Sequence, residues 1–124
     1  MKSGRTVEHA LADMLDAAEK ACAFCGSLTV SEFAADDKSA FAVIHALAIL
    51  GEAAKQVPEH IRLLYPDVPF RTAAGLRDKL IHDYFGVRRE RLWQTVQGDL
   101  PGLIRALQVA IASRRAAIGE SEAD

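Results

Sequence analysis

The stretch Arg77-Asp78-Lys79-Leu80-Ile81-His82-Asp83-Tyr84 gathers a guanidinium, an imidazole, a phenol and two carboxylates into eight residues. Arginine offers phosphate oxygens a rigid fork of donors, and histidine exchanges a proton near neutral pH. Those two groups suffice for metal-free cleavage of RNA. His82 would take the proton of a ribose 2′-hydroxyl or protonate the leaving 5′-oxygen, while Arg77 would stabilise the charge gathering on the phosphate. On a regular helix, residues five apart project about 140° from each other. Arg77 and His82 therefore converge only if the helix ends near His82 or a second chain completes the site, which makes oligomerisation part of the chemistry. The bland alternative is an exposed helix end of mixed charge.

Other reactive side chains point to no second centre. His9, His45, His60 and His82 include no i, i+4 pair with an attendant glutamate, and there is no glycine-rich phosphate loop, so neither a metal nor a cofactor is expected. His9 and His60 read as solvated surface residues. His45 shares a wheel sector with Phe41 and Glu52 and reads as a helix-packing residue. Cys22 and Cys25 lack the second pair that a zinc site needs, and read as small packing residues in a reducing compartment. Trp93 fits the core better than a base-stacking platform.

The elements that must position these groups are helical nearly throughout. A first helix follows Thr6 and carries Val7, Leu11, Met14, Leu15, Ala18, Cys22 and Cys25 at three- and four-residue steps, ending near Gly26. After a break over 26–30, Ser31 can cap a short turn. The most apolar segment, about Asp37–Gln56, places Ala40, Val43, Ile44, Leu47, Leu50 and Ala54 on one stripe suited to the centre of a bundle. Pro58 can open a short helix, and Pro66 and Pro69 bracket a loop. Helical spacing resumes over 71–84 with Gly86 as a stop. A last helix from near Arg88 carries Leu92, Val96, Leu103, Leu107 and Ile111 inward, bent around Gly98 and Pro101. The expectation is an all-α domain over 1–118 with a polar, fraying tail at 119–124.

The chain's 124 residues correspond to one domain, able to bury a core without staples. Fifteen basic against seventeen acidic residues give a net charge of −2, so global charge alone does not call for nucleic acid. The distribution is uneven. Arg71, Arg77, Lys79, Arg88, Arg89 and Arg91 face only Asp78, Asp83 and Glu90 within 71–91, a possible basic patch. No apolar run approaches a membrane span and no signal-type segment opens the chain, so a cytoplasmic protein is expected.

Arg77, four residues, His82, one residue, Tyr84 resembles the signature of the HEPN superfamily, specifically of the HepT-like toxins of HepT/MntA toxin–antitoxin pairs. The flanks are similar in order and spacing: Ile49-Leu50-Gly51-Glu52-Ala53-Ala54-Lys55, the loop Tyr65-Pro66-Asp67-Val68-Pro69-Phe70, Gly75-Leu76, Tyr84-Phe85-Gly86-Val87, Leu92-Trp93 and Asp99-Leu100-Pro101. The resemblance covers about residues 40–107.

It implies a four- to five-helix bundle, paired as a two-fold homodimer with both motif copies facing one cleft. It further implies the toxin of a type VII-like pair, a metal-independent endoribonuclease with Arg77 and His82 as catalytic pair. Its partner would be a minimal nucleotidyltransferase antitoxin that transfers AMP to Tyr84. Around that pair, Asp78 could orient Arg77 or raise the pKa of His82, and Lys79, Arg88 and Arg89 would favour an RNA backbone. Glu52 could reach across the bundle to Arg77 or stand as an ordinary solvated glutamate. The alternative function is a non-catalytic helical subunit that binds a nucleotide or the nucleotidyltransferase; a third is a plain helical dimer without chemistry.

Overall fold

Local capping chemistry sets the helix ends, and the apolar stripes between them set the packing. The structure, a computed structural model, describes the backbone of residues 6–82 and 88–123 and the side chains of residues 6–80 and 88–117. Among these residues every regular element is helical. Helix α1 (Val7–Cys25) opens on Thr6, whose hydroxyl accepts the His9 backbone N–H at 3.1 Å while His9 Nδ1 accepts the Thr6 N–H at 3.4 Å. His9 thus completes a reciprocal cap from an exposed position. The helix stops at Gly26, whose φ of 57° lies in the left-handed region that glycine reaches without a Cβ clash.

Thr29, rather than Ser31, caps the short α2 (Val30–Ala34). Its hydroxyl takes the Glu32 N–H at 3.2 Å and the Glu32 carboxylate takes the Thr29 N–H at 2.9 Å. Both hydroxyls stand in the right region of sequence, but only Thr29 has a glutamate three residues on to close the reciprocal pair. Helix α3 (Asp37–Lys55) is capped by Asp36, which accepts from the Ser39 hydroxyl at 2.8 Å and the Ser39 N–H at 3.4 Å. Those two bonds hold the Asp36 carboxyl below its ordinary pKa.

The single turn α4 (Glu59–Arg62) follows Pro58, and α5 (Phe70–His82) starts directly after Pro69. The last run is continuous: α6 (Arg89–Gln94), a π-helical turn at Thr95–Asp99, and α7 (Leu100–Ala123). The π turn sits where the sequence predicts a bend. Pro101 has no N–H to give the carbonyl four residues back and its ring crowds it, and a wider turn relieves both. Leu92, Val96 and Leu100, at successive steps of four, are all buried. The backbone of α7 is helical to Ala123, so the helix takes in the polar stretch after residue 118.

Helix α3 is the centre of the bundle. It packs against α1 and α5, α1 packs against α7, and α2 lies on α6. The core is made of Leu11 and Met14 from α1, Phe33 from α2, Val43, Leu47 and Leu50 from α3, and Leu100 and Leu107 from α7, all at most 2% exposed. Each such side chain contributes about 1.5–3 kcal/mol by burial. No polar or charged residue is buried among the described residues. His45 departs from expectation: it is exposed on α3 rather than packed. Its wheel sector, shared with the exposed Phe41, is one that no described neighbour covers.

Two polar contacts fix the bundle's other helices. Trp93 is half-buried and its Nε1 donates to the Leu28 carbonyl at 2.9 Å, tying α6 to the loop after α1 and agreeing with its reading as a packing residue. Glu8 and Arg114 join α1 to α7, with Arg114 Nε donating to Glu8 Oε2 at 2.7 Å, and Arg114 also reaches the Tyr65 hydroxyl.

Burial alone would raise the Glu8 pKa, but hydrogen bonds and charge from Arg114, with help from the helix start, outweigh it and leave the pKa lowered. A carboxylate depressed in the folded state contributes stability above its unfolded pKa and loses it as pH falls through the folded value. Glu8→Gln should therefore lower the urea midpoint at neutral pH, and the gap from wild type should narrow as the pH falls below the ordinary glutamate range. A pH-independent gap would remove Glu8 ionisation as the cause.

Candidate active site

Helices α3 and α5 meet so closely at one point that only glycine fits. A Cβ on Gly51 would lie 2.9 Å from the Arg77 backbone nitrogen, 3.0 Å from the Ala73 carbonyl oxygen and 3.2 Å from Arg77 Cβ. The backbone of α5 therefore rests directly on α3 at the residue that carries the guanidinium. From that contact the side chains next to Gly51 are in reach of α5: Arg77 Nε lies 3.1 Å from Glu52 Oε1, and Lys55 Nζ lies 3.0 Å from Asp78 Oδ1.

Both pairs are open to water. The side chains of Arg77 and Glu52 are 43% and 54% exposed. Exposed pairs of this kind contribute about 0–1 kcal/mol each. The partner of Asp78 is Lys55, not Arg77, so the carboxylate next in sequence to the arginine is already engaged on α3. Sequence reasoning raised Glu52 as a partner for Arg77 and missed Lys55, which stands three residues beyond Glu52 and so on the same helix face.

The start of α5 is fixed by a residue the sequence reading passed over. Arg62 donates from Nε to the Val57 carbonyl at 2.8 Å and from Nη2 to the Ala54 carbonyl at 2.9 Å, satisfying carbonyls at the end of α3. Its guanidinium also lies over the buried Phe70 ring, 5.8 Å from the centroid. A cation near an aromatic face is attracted by the ring quadrupole. One side chain thus joins the end of α3 to the first residue of α5.

The expected basic patch divides in two. Arg71, Lys79, Arg88 and Arg91 are exposed. Arg89 is committed elsewhere, donating to the Ala34 carbonyl at 2.9 Å and pairing with Asp37 Oδ1 at 2.8 Å, so it holds α6 against α2 and α3 instead of standing free for RNA. His82 is the last described residue of α5, but its side chain lies outside the described residues, as do Tyr84 and Gly86.

The cysteines are free, and Cys25 is buried. Burial, then the neighbouring Cys25 and Glu19, pushes the Cys22 thiol pKa up and keeps it protonated, which suits packing rather than nucleophilic chemistry. Among the described residues no group of three His, Cys, Asp or Glu side chains could hold a metal ion, and no helix is long and apolar enough to cross a membrane.

The sequence pattern of the family described as Ribonuclease HepT-like matches residues 14–110, which include α3, α5 and the seam between them. The chain belongs to the HepT-like ribonuclease family. Among its relatives, the chain named "Probable ribonuclease HepT" in Thermococcus cleftensis is 43% identical over 99 residues, covering 80% of this chain and 90% of that one. A chain provisionally named an RNase in Methanocaldococcus jannaschii is 38% identical over 107 residues, or 86% of this chain and 88% of its own length. Another, similarly named, from Caldanaerobacter subterraneus subsp. tengcongensis is 38% identical over 76 residues, 61% of this chain and 68% of that one. No solved structure gives a significant match. Arg77 and His82 both stand on α5 of this family member, and Gly51 and Glu52 of α3 form the surface against which Arg77 is seated.

Because the Gly51 contact is with backbone, which cannot swing aside, Gly51→Ala should overpack the seam and cost about 1–3 kcal/mol. That loss should exceed the helix-propensity gain of about 1 kcal/mol that alanine brings. A chemical denaturation curve decides it, and an alanine variant more stable than wild type would mean the seam is not close-packed.

Proposed function

We propose that this chain is a metal-independent endoribonuclease, the toxin of a toxin–antitoxin pair, with Arg77 and His82 as its catalytic pair. The observation that carries the reading is Arg77 itself. In a chain of the HepT-like family it stands half-exposed at the α3–α5 seam, with His82 five residues further along the same helix. The relatives' ribonuclease names support the same class.

In this mechanism the His82 imidazole removes the proton from a ribose 2′-hydroxyl. The oxygen attacks the adjacent phosphorus, the bond to the 5′-oxygen breaks, and that oxygen leaves with a proton supplied by water or by His82 of a second copy. The products are a 2′,3′-cyclic phosphate and a 5′-hydroxyl end. Arg77 stabilises the charge that develops on the non-bridging oxygens. Because the two side chains diverge by about 140° on a regular helix, the site is completed by a two-fold homodimer that brings two motif copies to one cleft. The exposed Lys79 and Arg88 attract the RNA backbone.

Silencing acts through charge and bulk. A minimal nucleotidyltransferase antitoxin adds AMP to Tyr84, two residues beyond His82, and the added phosphate and nucleotide exclude an RNA phosphate from the cleft.

Purified wild type should cleave a defined RNA in EDTA and leave 2′,3′-cyclic phosphate ends by mass spectrometry, while His82→Ala loses roughly 100- to 10,000-fold in rate. Equal activity in both, or a rate abolished by the chelator, rules the mechanism out. Inactive wild type with unmodified Tyr84 would instead favour a non-catalytic subunit that binds nucleotide or the nucleotidyltransferase. The rate should also be bell-shaped in pH near neutrality, since one imidazole must be neutral to act as base while the acid is protonated. A rate that climbs steadily into alkaline pH would exclude a histidine acid.

A further inference from the structure

We infer that Glu52 is the positioning residue for Arg77, gripping the guanidinium by Nε so that its two terminal nitrogens are presented to the scissile phosphate. This rests on the ribonuclease reading above and names a residue that the reading does not require.

The geometry favours one nitrogen. Glu52 Oε1 pairs with Arg77 at Nε, 3.1 Å away, and among the described residues neither Nη1 nor Nη2 makes a hydrogen bond. A carboxylate clamped across the terminal fork would occupy the donors that match two phosphate oxygens. Held by Nε, the arginine keeps that fork free. The long side chain is then ordered before RNA arrives, which removes part of the cost of immobilising it.

Three features place this role on Glu52 and not elsewhere. Asp78 adjoins Arg77 in sequence, but Lys55 engages it at 3.0 Å and leaves Glu52 as the carboxylate on the guanidinium. Glu52 belongs to α3, whose Leu47 and Leu50 are at most 1% exposed, so the grip comes from the most firmly anchored helix. Gly51 brings the two backbones close enough for the contact, at the cost of a glycine within a helix. Stability does not account for the arrangement, because a pair 43% and 54% exposed contributes little.

A carboxylate beside an incoming phosphate also repels it. The benefit of Glu52 must therefore be geometric, and a neutral acceptor of the same shape should supply it. RNA cleavage by Glu52→Gln and Glu52→Ala should be followed with kcat and KM separated and thermal unfolding recorded alongside. Glu52→Gln keeps an oxygen to accept from Nε, so it should retain kcat within about threefold, with KM unchanged or lower. Glu52→Ala should lose on the order of tenfold to a hundredfold in kcat while its unfolding stays near wild type. In an Arg77→Lys background, where no Nε–H branch exists, Glu52→Ala should have no additional effect.

A fully active Glu52→Ala overturns the inference while leaving the ribonuclease reading in place. So does Glu52→Gln falling as far as Glu52→Ala, which would mean that the charge and not the grip matters, or an equal loss in the Arg77→Lys background. Wild type that cleaves no RNA overturns both.

Discussion

The contact between Gly51 and the backbone of α5 is the constraint on which the rest of this molecule depends. A side chain at that position would meet the Arg77 nitrogen at 2.9 Å, so the spacing of α3 and α5 is set by the absence of one methyl group. Everything polar at the seam follows from that spacing. Across that close approach Glu52 meets Arg77 and Lys55 meets Asp78. The hydrophobic core sustains the approach from behind: Leu47 and Leu50 hold α3 in place, and among the described residues no polar side chain is buried.

The charge arrangement at the seam is one of alternation. Moving along α3 from Glu52 to Lys55, and along α5 from Arg77 to Asp78, each acid meets a base. Swapping either sign would set like charges opposite each other. The order therefore fixes which carboxylate touches the arginine, a selection that composition alone could not express, since Asp78 is the nearer acid in sequence. Arg89 follows the same logic at the far side of α3. Its Asp37 and Ala34 partners turn a residue of the basic stretch into a brace for α6.

How much of this was legible in the sequence depends on how local the determining physics is. Helix ends set by caps, such as Thr6 and Gly26 for α1, were readable because their partners lie within four residues. The bend near Pro101 was readable for the same reason, though its form as a π turn was not. The motif on α5 and its family were readable from ordered segments. What resisted were pairs set by tertiary packing. Glu8 and Arg114 are 106 residues apart, and no periodicity links them. His45 looked like a packing residue because a wheel cannot show that no described neighbour covers its sector. Gly51 did carry a signal, since a glycine inside the most apolar helix costs about 1 kcal/mol and calls for a reason. That reason exists only once α5 is in place.

The Arg62 clasp has a consequence for how the molecule opens. A single turn such as α4 has no stability of its own, because helix nucleation is unfavourable and four residues cannot repay it. It persists because Arg62 is bonded to the Ala54 and Val57 carbonyls and seated over Phe70. Releasing that one guanidinium frees α4, uncaps the end of α3 and unseats the first turn of α5 together. On those contacts the 58–70 segment is expected to open together with the beginning of α5, not as a loop that breathes alone.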